Sequence, residues 1–328
     1  MTARRFARLP RSPRFTPLFV AVALSAALSA VSAARGEPTA TSVYARDAGS
    51  GGSPAAAQES PAAQAERILA GALVAFDRAA SVQIKFRQKA RIGSRVLKGG
   101  GLYLQSGTGE EQRYRFESIL NADTETFETI DVGDGVNAWS YRRLGSDPPR
   151  VERMDVRRVR ERLAQFGPPG EGSVSRYLGG LQRSLWTARQ WFVFQAATPA
   201  ETEEGLPVWV LEGHWHPDHL ATLQPALREA AARPGGVLPE ELPDGMPWRI
   251  RVEVARGDLL PRRVEYLAIP GPRPVGSGQP EPIAVLDLFD ISVGGPVDAS
   301  AFLYRPAPEL GLSDVTDAYV GVMGPMRP

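Results

Sequence analysis

The sequence predicts an α+β domain built on one large antiparallel sheet, with helices set apart from it. Three observations lead there. An apolar stripe at helical spacing, Ile68, Leu69, Ala72, Leu73 and Phe76, opens the folded region. Period-two alternation follows, first with Val82, Ile84 and Phe86 set between Gln83, Lys85 and Arg87. Short turn signals such as Gly133-Asp134-Gly135 then join consecutive apolar runs, as hairpins do. With 29 Pro and 33 Gly among 328 residues, turns outweigh what a helical bundle would need.

Ahead of the domain, residues 1–14 carry Arg4, Arg5, Arg8, Arg11 and Arg14 and no acidic residue. An Ala/Val/Leu/Ser run from Phe15 ends in Val31-Ser32-Ala33. A basic start, an apolar centre and a small-x-small end describe a secretory signal over residues 1–33, removed after Ala33. Residues 34–63 are poor in large apolar side chains and are expected to form a disordered Ala/Gly/Ser/Pro-rich linker. The domain proper is expected over 64–318, with a flexible tail over 319–328. The chain has no Cys, which excludes a lipid anchor on Cys, disulfides, thiolate metal sites and a Cys nucleophile. A net charge of +1 gives no sign of a nucleic-acid partner.

Within the domain, Gly99-Gly100-Gly101 leads into Leu102-Tyr103-Leu104, followed by Arg113 to Glu117 and by the hairpin of Phe127 to Val132 with Val136 to Tyr141. Because Gly99-Gly100-Gly101 precedes a strand, it reads as a bend and not as a phosphate cradle. Val156, Val159, Leu163 and Phe166 predict a helix that stops before Gly167-Pro168-Pro169, and 175–186 predicts another. Strands are expected at 191–196 and 207–211. Leu220, Leu223, Leu227 and Ala231 then recur on one helical face. The last strands are expected at 248–254, 263–269 and 283–291.

One hexapeptide suggests different chemistry. His214-Trp215-His216-Pro217-Asp218-His219 is H-x-H-x-D-H, the pattern of ligands in metallo-β-lactamase-type zinc hydrolases. A catalytic zinc takes about three protein ligands and a water, and a binuclear site needs further ligands from distant loops. The chain's three His all lie inside the motif, so none remains to complete either site. A hydrolase using His214, His216, Asp218 and His219 therefore stands as a disfavoured alternative. In the simpler reading a strand ends and a helix starts at Pro217, with Asp218 at the positive end of its dipole. No nucleophile elbow, P-loop or dinucleotide-binding glycine pattern is present.

The order of several degenerate elements resembles the LolA/LolB-like superfamily of lipoprotein-sorting proteins. They are the helix at Ala65 to Phe76, Tyr114-Arg115-Phe116 and the Asp134-Gly135-Val136-Asn137-Ala138-Trp139-Ser140-Tyr141 hairpin. Leu260-Pro261-Arg262-Arg263-Val264-Glu265-Tyr266 and Pro296-Val297-Asp298-Ala299-Ser300-Ala301-Phe302 complete the order. The resemblance spans most of 64–318 and implies a strongly curved antiparallel sheet, an incomplete half-open β-barrel with helices covering its concave face. It also implies the periplasm, no cofactor and no covalent chemistry. The domain is longer than the sorting chaperone, near 155–190 and 217–246.

The function expected from this resemblance is that of an exported, non-enzymatic carrier, with no lipid anchor, holding an apolar or acylated ligand. Its partner would be a lipid or an acylated lipoprotein, with peripheral contact to envelope membranes and a monomeric state. Strand residues Ile84, Phe86, Leu102, Leu104, Tyr114, Phe116, Phe127, Trp139, Tyr141 and Trp248 are the candidate cavity lining. A structural envelope module with a filled core and no ligand is the remaining alternative.

Overall fold

A computed structural model of the protein describes residues 59–165, 178–269 and 280–322. The expected signal segment, most of the expected linker, Phe166 to Pro169 and the Pro/Gly-rich stretch 270–279 lie outside these residues. The first helix, α1, runs Pro61–Arg78. Ser60 caps it by accepting a hydrogen bond from the Ala63 N–H, and proline fits the first turn, where its missing N–H is not needed. Residues 61–63, placed in the linker from their composition, are therefore helical.

Six strands follow as a meander: β1 (Ser81–Ile92), β2 (Arg95–Ser106), β3 (Arg113–Ala122), β4 (Glu125–Gly133), β5 (Asn137–Leu144) and β6 (Arg150–Asp155). Helix α2 (Val156–Ala164) starts at once, with the Asp155 carboxylate accepting from the N–H groups of Arg157 and Arg158. Helix α3 spans Gly180–Trp191 and passes into β7 (Phe192–Glu201) without a loop. The sequence places a strand from Trp191 because Trp-Phe-Val-Phe is an aromatic and β-branched run. Trp191 instead completes the stripe of Leu185 and Ala188 one turn further on, and the Phe192 N–H still bonds to the Ala188 carbonyl.

Strand β8 (Pro207–Trp215) leads to α4 (Pro217–Leu223), a 3₁₀ turn at Pro225–Leu227 and the short α5 (Arg228–Ala231). The continuous helix expected from Leu220 to Ala231 is broken at Pro225, whose ring clashes with the preceding turn and donates no hydrogen bond. Strands β9 (Arg249–Ala255), β10 (Pro261–Ala268) and β11 (Glu281–Val293) complete the second meander. A 3₁₀ turn at Ala299–Phe302, the three-residue β12 (Leu312–Asp314) and α6 (Thr316–Val322) end the described chain. Residues 319–322, placed in the tail from the sequence, thus continue a helix whose Tyr319 and Val320 pack on the core.

The twelve strands of the described residues form one open sheet in the order β12-β6-β5-β4-β3-β2-β1-β11-β10-β9-β8-β7. Every pairing is antiparallel except that of β12 with β6. The fold class is α+β, as the alternation predicts. Apolar residues of α1 and α3 share one core with residues of most strands, including Ile84, Phe116, Leu211, Val252 and Leu286. The opposite face carries ion pairs over β8–β11: Glu212 with Arg251, Arg251 with Glu265 and Arg263 with Asp287 across strands, and Arg263 with Glu265 along β10. Among the described residues no helix is long and apolar enough to cross a membrane.

Candidate functional site

Directly opposed residues in an antiparallel ladder project to the same face, so register assigns each candidate. Ile84 opposes Tyr103, which opposes Phe116; Phe86 opposes Gly101. Ile84, Phe86, Tyr114 and Phe116 are all buried in the core shared with α1 and α3. Phe127 opposes Leu120 on that face but packs in a separate small cluster with Leu97 and Ala122. Leu102 and Leu104 flank Tyr103, so they point to the other face. Trp139 and Tyr141 share that face with them, through Val132 and Arg115 for Trp139 and through Ile130 and Glu117 for Tyr141.

A second layer covers this part of the outer face. The Ala301 carbonyl accepts from Arg115 Nη1 at 2.9 Å, and the Tyr304 ring lies 5.8 Å from that of Trp139. Phe302 between them is buried. Trp248 sits just before β9, where its N–H donates to the Leu267 carbonyl at 2.7 Å and the Arg249 guanidinium lies 4.1 Å from its ring centre. The ten candidates therefore do not form one lining: four belong to the helix-covered core, and four point away from it.

What lies under α3 had no signal in the strand alternation. Leu181, Leu185 and Ala188 face Pro261, Val264 and Tyr266 of β10 and Leu286 and Leu288 of β11 around an apolar cavity of about 10 Å³. That is near the lower limit for one water. Nearby, a polar chain crosses the core. Tyr103 donates to Gln105 Oε1 at 2.9 Å, Gln182 Nε2 donates to the same oxygen at 3.2 Å, and Gln105 Nε2 donates to the Phe76 carbonyl at 2.6 Å. Both glutamines are fully buried. Burial, reinforced by Asp77, pushes the Tyr103 phenol well above its ordinary pKa.

Tyr114 differs from Tyr103 in one respect. Both are 1 % exposed, but the Tyr114 hydroxyl has no hydrogen-bond partner among the described residues. Burial first, then Asp131, hold its phenol in the protonated form. Asp131 itself, on β4, accepts from Arg142 at 2.8 Å and 3.2 Å.

The histidine motif is divided between two elements. His214 is the penultimate residue of β8, opposite Arg249. Desolvation, followed by the charges of Arg249 and His216, lowers its pKa. His216 is the cap of α4: its Nδ1 accepts the Asp218 N–H at 3.3 Å. The rings of His216 and His219 meet edge-on at 5.6 Å. Among the described residues, no group of three or more His, Asp or Glu side chains is arranged to hold a metal ion. This geometry does not favour the zinc-hydrolase alternative. The strand carries His214 on past the point where the sequence ends it, beside a cation, and helix capping occupies His216.

No protein-family model matches the chain, and no curated protein does. Solved structures similar to it include a DUF1329 family protein from Desulfovibrio piger, with 11 % identity over 75 % of this chain and 98 % of that one, at a TM-score of 0.32. The lipoprotein LppX of Mycobacterium tuberculosis is 13 % identical over 72 % of this chain and 98 % of its own, with a TM-score of 0.33. A domain assigned as an outer membrane lipoprotein-sorting protein from Vibrio parahaemolyticus is 12 % identical over 73 % and 97 %, with a TM-score of 0.28. At such identities and TM-scores these likenesses carry no argument about this chain.

Proposed function

We propose that this chain is an exported, non-enzymatic carrier or binding protein that holds an apolar or acylated ligand between its sheet and the helix α3. The observation that carries the reading is the position of α3 across the apolar face. Its first residues touch Tyr114 of β3, its middle lies over β10 and β11, and its last residue joins β7. Seven strand spacings separate β3 from β7 in the sheet order, about 34 Å in a flat sheet. A helix of 12 residues is only about 18 Å long. A sheet curled into a half-barrel under α3 accommodates both lengths.

Two further features support that curvature. A Cβ at Gly99 or Gly101 would collide with the carbonyl oxygens of Ile119 or Glu117, a close approach of backbones that suits a bend. Register shifts in the pairings β1–β11, β9–β10, β10–β11 and β7–β8 mark bulges, which bend and twist strands. Apolar contact under α3 would supply the binding energy, at about 25 cal/mol per Å² of apolar surface removed from water. The small resting cavity means that a chain enters by lifting α3 from β10 and β11. Ile84, Phe86, Tyr114 and Phe116 are proposed as the sheet side of the site, and the protein as a periplasmic monomer without a lipid anchor.

The test is native mass spectrometry with lipid extraction on protein purified from its own envelope, beside uptake of a fluorescent fatty-acid probe. Co-purified lipid and saturable uptake are expected. Protein that carries no lipid and takes up no probe would sink the reading and favour a ligand-free structural module.

A further inference from the structure

The face beneath α3 is apolar along most of the helix and polar at its start. Gly179 caps α3 with no side chain, so the cap offers no side-chain acceptor to the N–H groups of the first turn. The Tyr114 ring lies in a slot with Gly133 on one side and the Gly179-Gly180 pair on the other. A Cβ at Gly179 would stand 2.6 Å from the Tyr114 hydroxyl, which places that hydroxyl at the helix N-terminus. Gly180, at φ +71°, lies between the rings of Tyr103 and Tyr114.

A buried hydroxyl without a partner loses its bonds to water and gains nothing in exchange. Phenylalanine would fill the same slot without that cost. The fold satisfies the Tyr103 hydroxyl on the neighbouring strand, so the Tyr114 hydroxyl stands out as a donor held ready. The charges around it agree. The helix N-terminus carries partial positive charge, and Arg183 lies in the first turn, with Nη1 donating to the Leu178 carbonyl at 3.4 Å and its guanidinium 5.6 Å from the Tyr319 ring centre. The Asp131 carboxylate, whose charge is felt at this phenol, is bound twice by Arg142.

We propose that the Tyr114 hydroxyl and the N-terminus of α3 hold the anionic head of an amphiphile whose acyl chain lies under the same helix. This rests on the carrier reading and deepens it by naming the cargo's polar end. A carboxylate and a phosphate both present the required acceptor oxygens. The chain would run from that head along Leu181, Leu185 and Ala188 over β10 and β11, and the Gly179-Gly180 pair gives α3 a pivot for lifting.

The experiment uses the delipidated full chain and its Tyr114→Phe variant. Each is titrated with palmitate, palmitoyl lysophosphatidate and hexadecanol in competition with a neutral fluorescent probe. Wild type should prefer the anionic amphiphiles to hexadecanol, and the stronger of the two names the head group. Tyr114→Phe should weaken that amphiphile by about tenfold, the scale of a hydrogen bond to a charged group, and leave hexadecanol within about twofold. Its Tm should be equal to or above that of wild type. Unchanged anion binding in Tyr114→Phe, or a sharply lower Tm, overturns the inference while the carrier reading stands. Failure of wild type to bind any of the three overturns the carrier reading itself.

Discussion

Phe86 and Phe116 stack with ring centres 4.9 Å apart and planes 9° from parallel, although β1 and β3 are not neighbours. They meet across β2, where Gly101 leaves room: the tip of the Phe86 ring lies 2.8 Å from where a Cβ at Gly101 would stand. The glycine is thus a packing residue for an aromatic pair on either side of it. Gly101→Ala is expected to overpack this point and to press on the Glu117 carbonyl, costing about 2 kcal/mol or more. The urea midpoint of unfolding measures this, and an unchanged midpoint would show that the strands can separate there.

Asp131 and Arg142 form a pair with side-chain exposures of 6 % and 14 %. Removing one partner strands the other charge, and such losses are about 3–5 kcal/mol. Arg142→Met alone should therefore be far more destabilising than Asp131→Asn together with Arg142→Met. Equal losses in a double-mutant cycle would mean that water reaches the carboxylate.

Asp314 accepts from Arg153 at 2.5 Å and from the Thr316 N–H at 3.0 Å, and its pKa falls to about 2 from an ordinary 3.8, with the Arg153 hydrogen bond as the largest cause. A depressed carboxylate pKa stabilises the fold above the unfolded value and loses that contribution as pH falls through the folded one. The attachment of β12 and α6 to β6 should weaken between about pH 4 and pH 2. Asp314 is half-exposed, so solvent screening limits the effect to about 1 kcal/mol or less. Asp314→Asn should flatten this part of the Tm–pH profile, and a profile identical to that of wild type would contradict the assignment.

For the histidine motif, His216→Ala should cost about 1 kcal/mol by removing the cap of α4, and His216→Asn should recover most of it. Zinc should leave the Tm of wild type unchanged in scanning calorimetry. A stoichiometric zinc content with a raised Tm would restore the metal reading of His214, His216, Asp218 and His219.

The two meanders were legible because Val82 to Phe86 or Ile250 to Val254 alternate between a buried and a wet face, and period two then identifies both strand and side. The same rule misplaced Leu102 and Leu104. Two leucines outweigh one tyrosine as an inner-face signal, but here the outer face is also covered, by Ala299 to Tyr304, so polarity no longer marks the sides. Strand β6, Arg150 to Asp155, was invisible because its apolar residues, Val151 and Met154, stand three apart, on opposite faces of the strand. The buried pairing of Gln105 with Gln182 left no mark in the sequence, since a lone polar residue gives no hint of a partner far along the chain. Tyr114 was legible as aromatic core. The missing partner of its hydroxyl, and Gly179 beside it, could only emerge once α3 was placed over β3.

The order of strands has a consequence for how the chain reaches its native state. Each meander closes through local hairpins, but they are sewn together only where Val82 meets Val293 and Ala90 meets Ala284. During synthesis, β1 can pair with β2 long before β11 arrives, so its other edge waits open while almost the whole domain is still being made. That seam has the highest sequence separation of any pairing in the sheet, and late, non-local pairing of this kind slows folding and leaves an edge to be captured. Lys85, Arg87 and Lys89 alternate along β1 and point outward from it. Like charges on an open strand oppose its pairing with a second copy of itself.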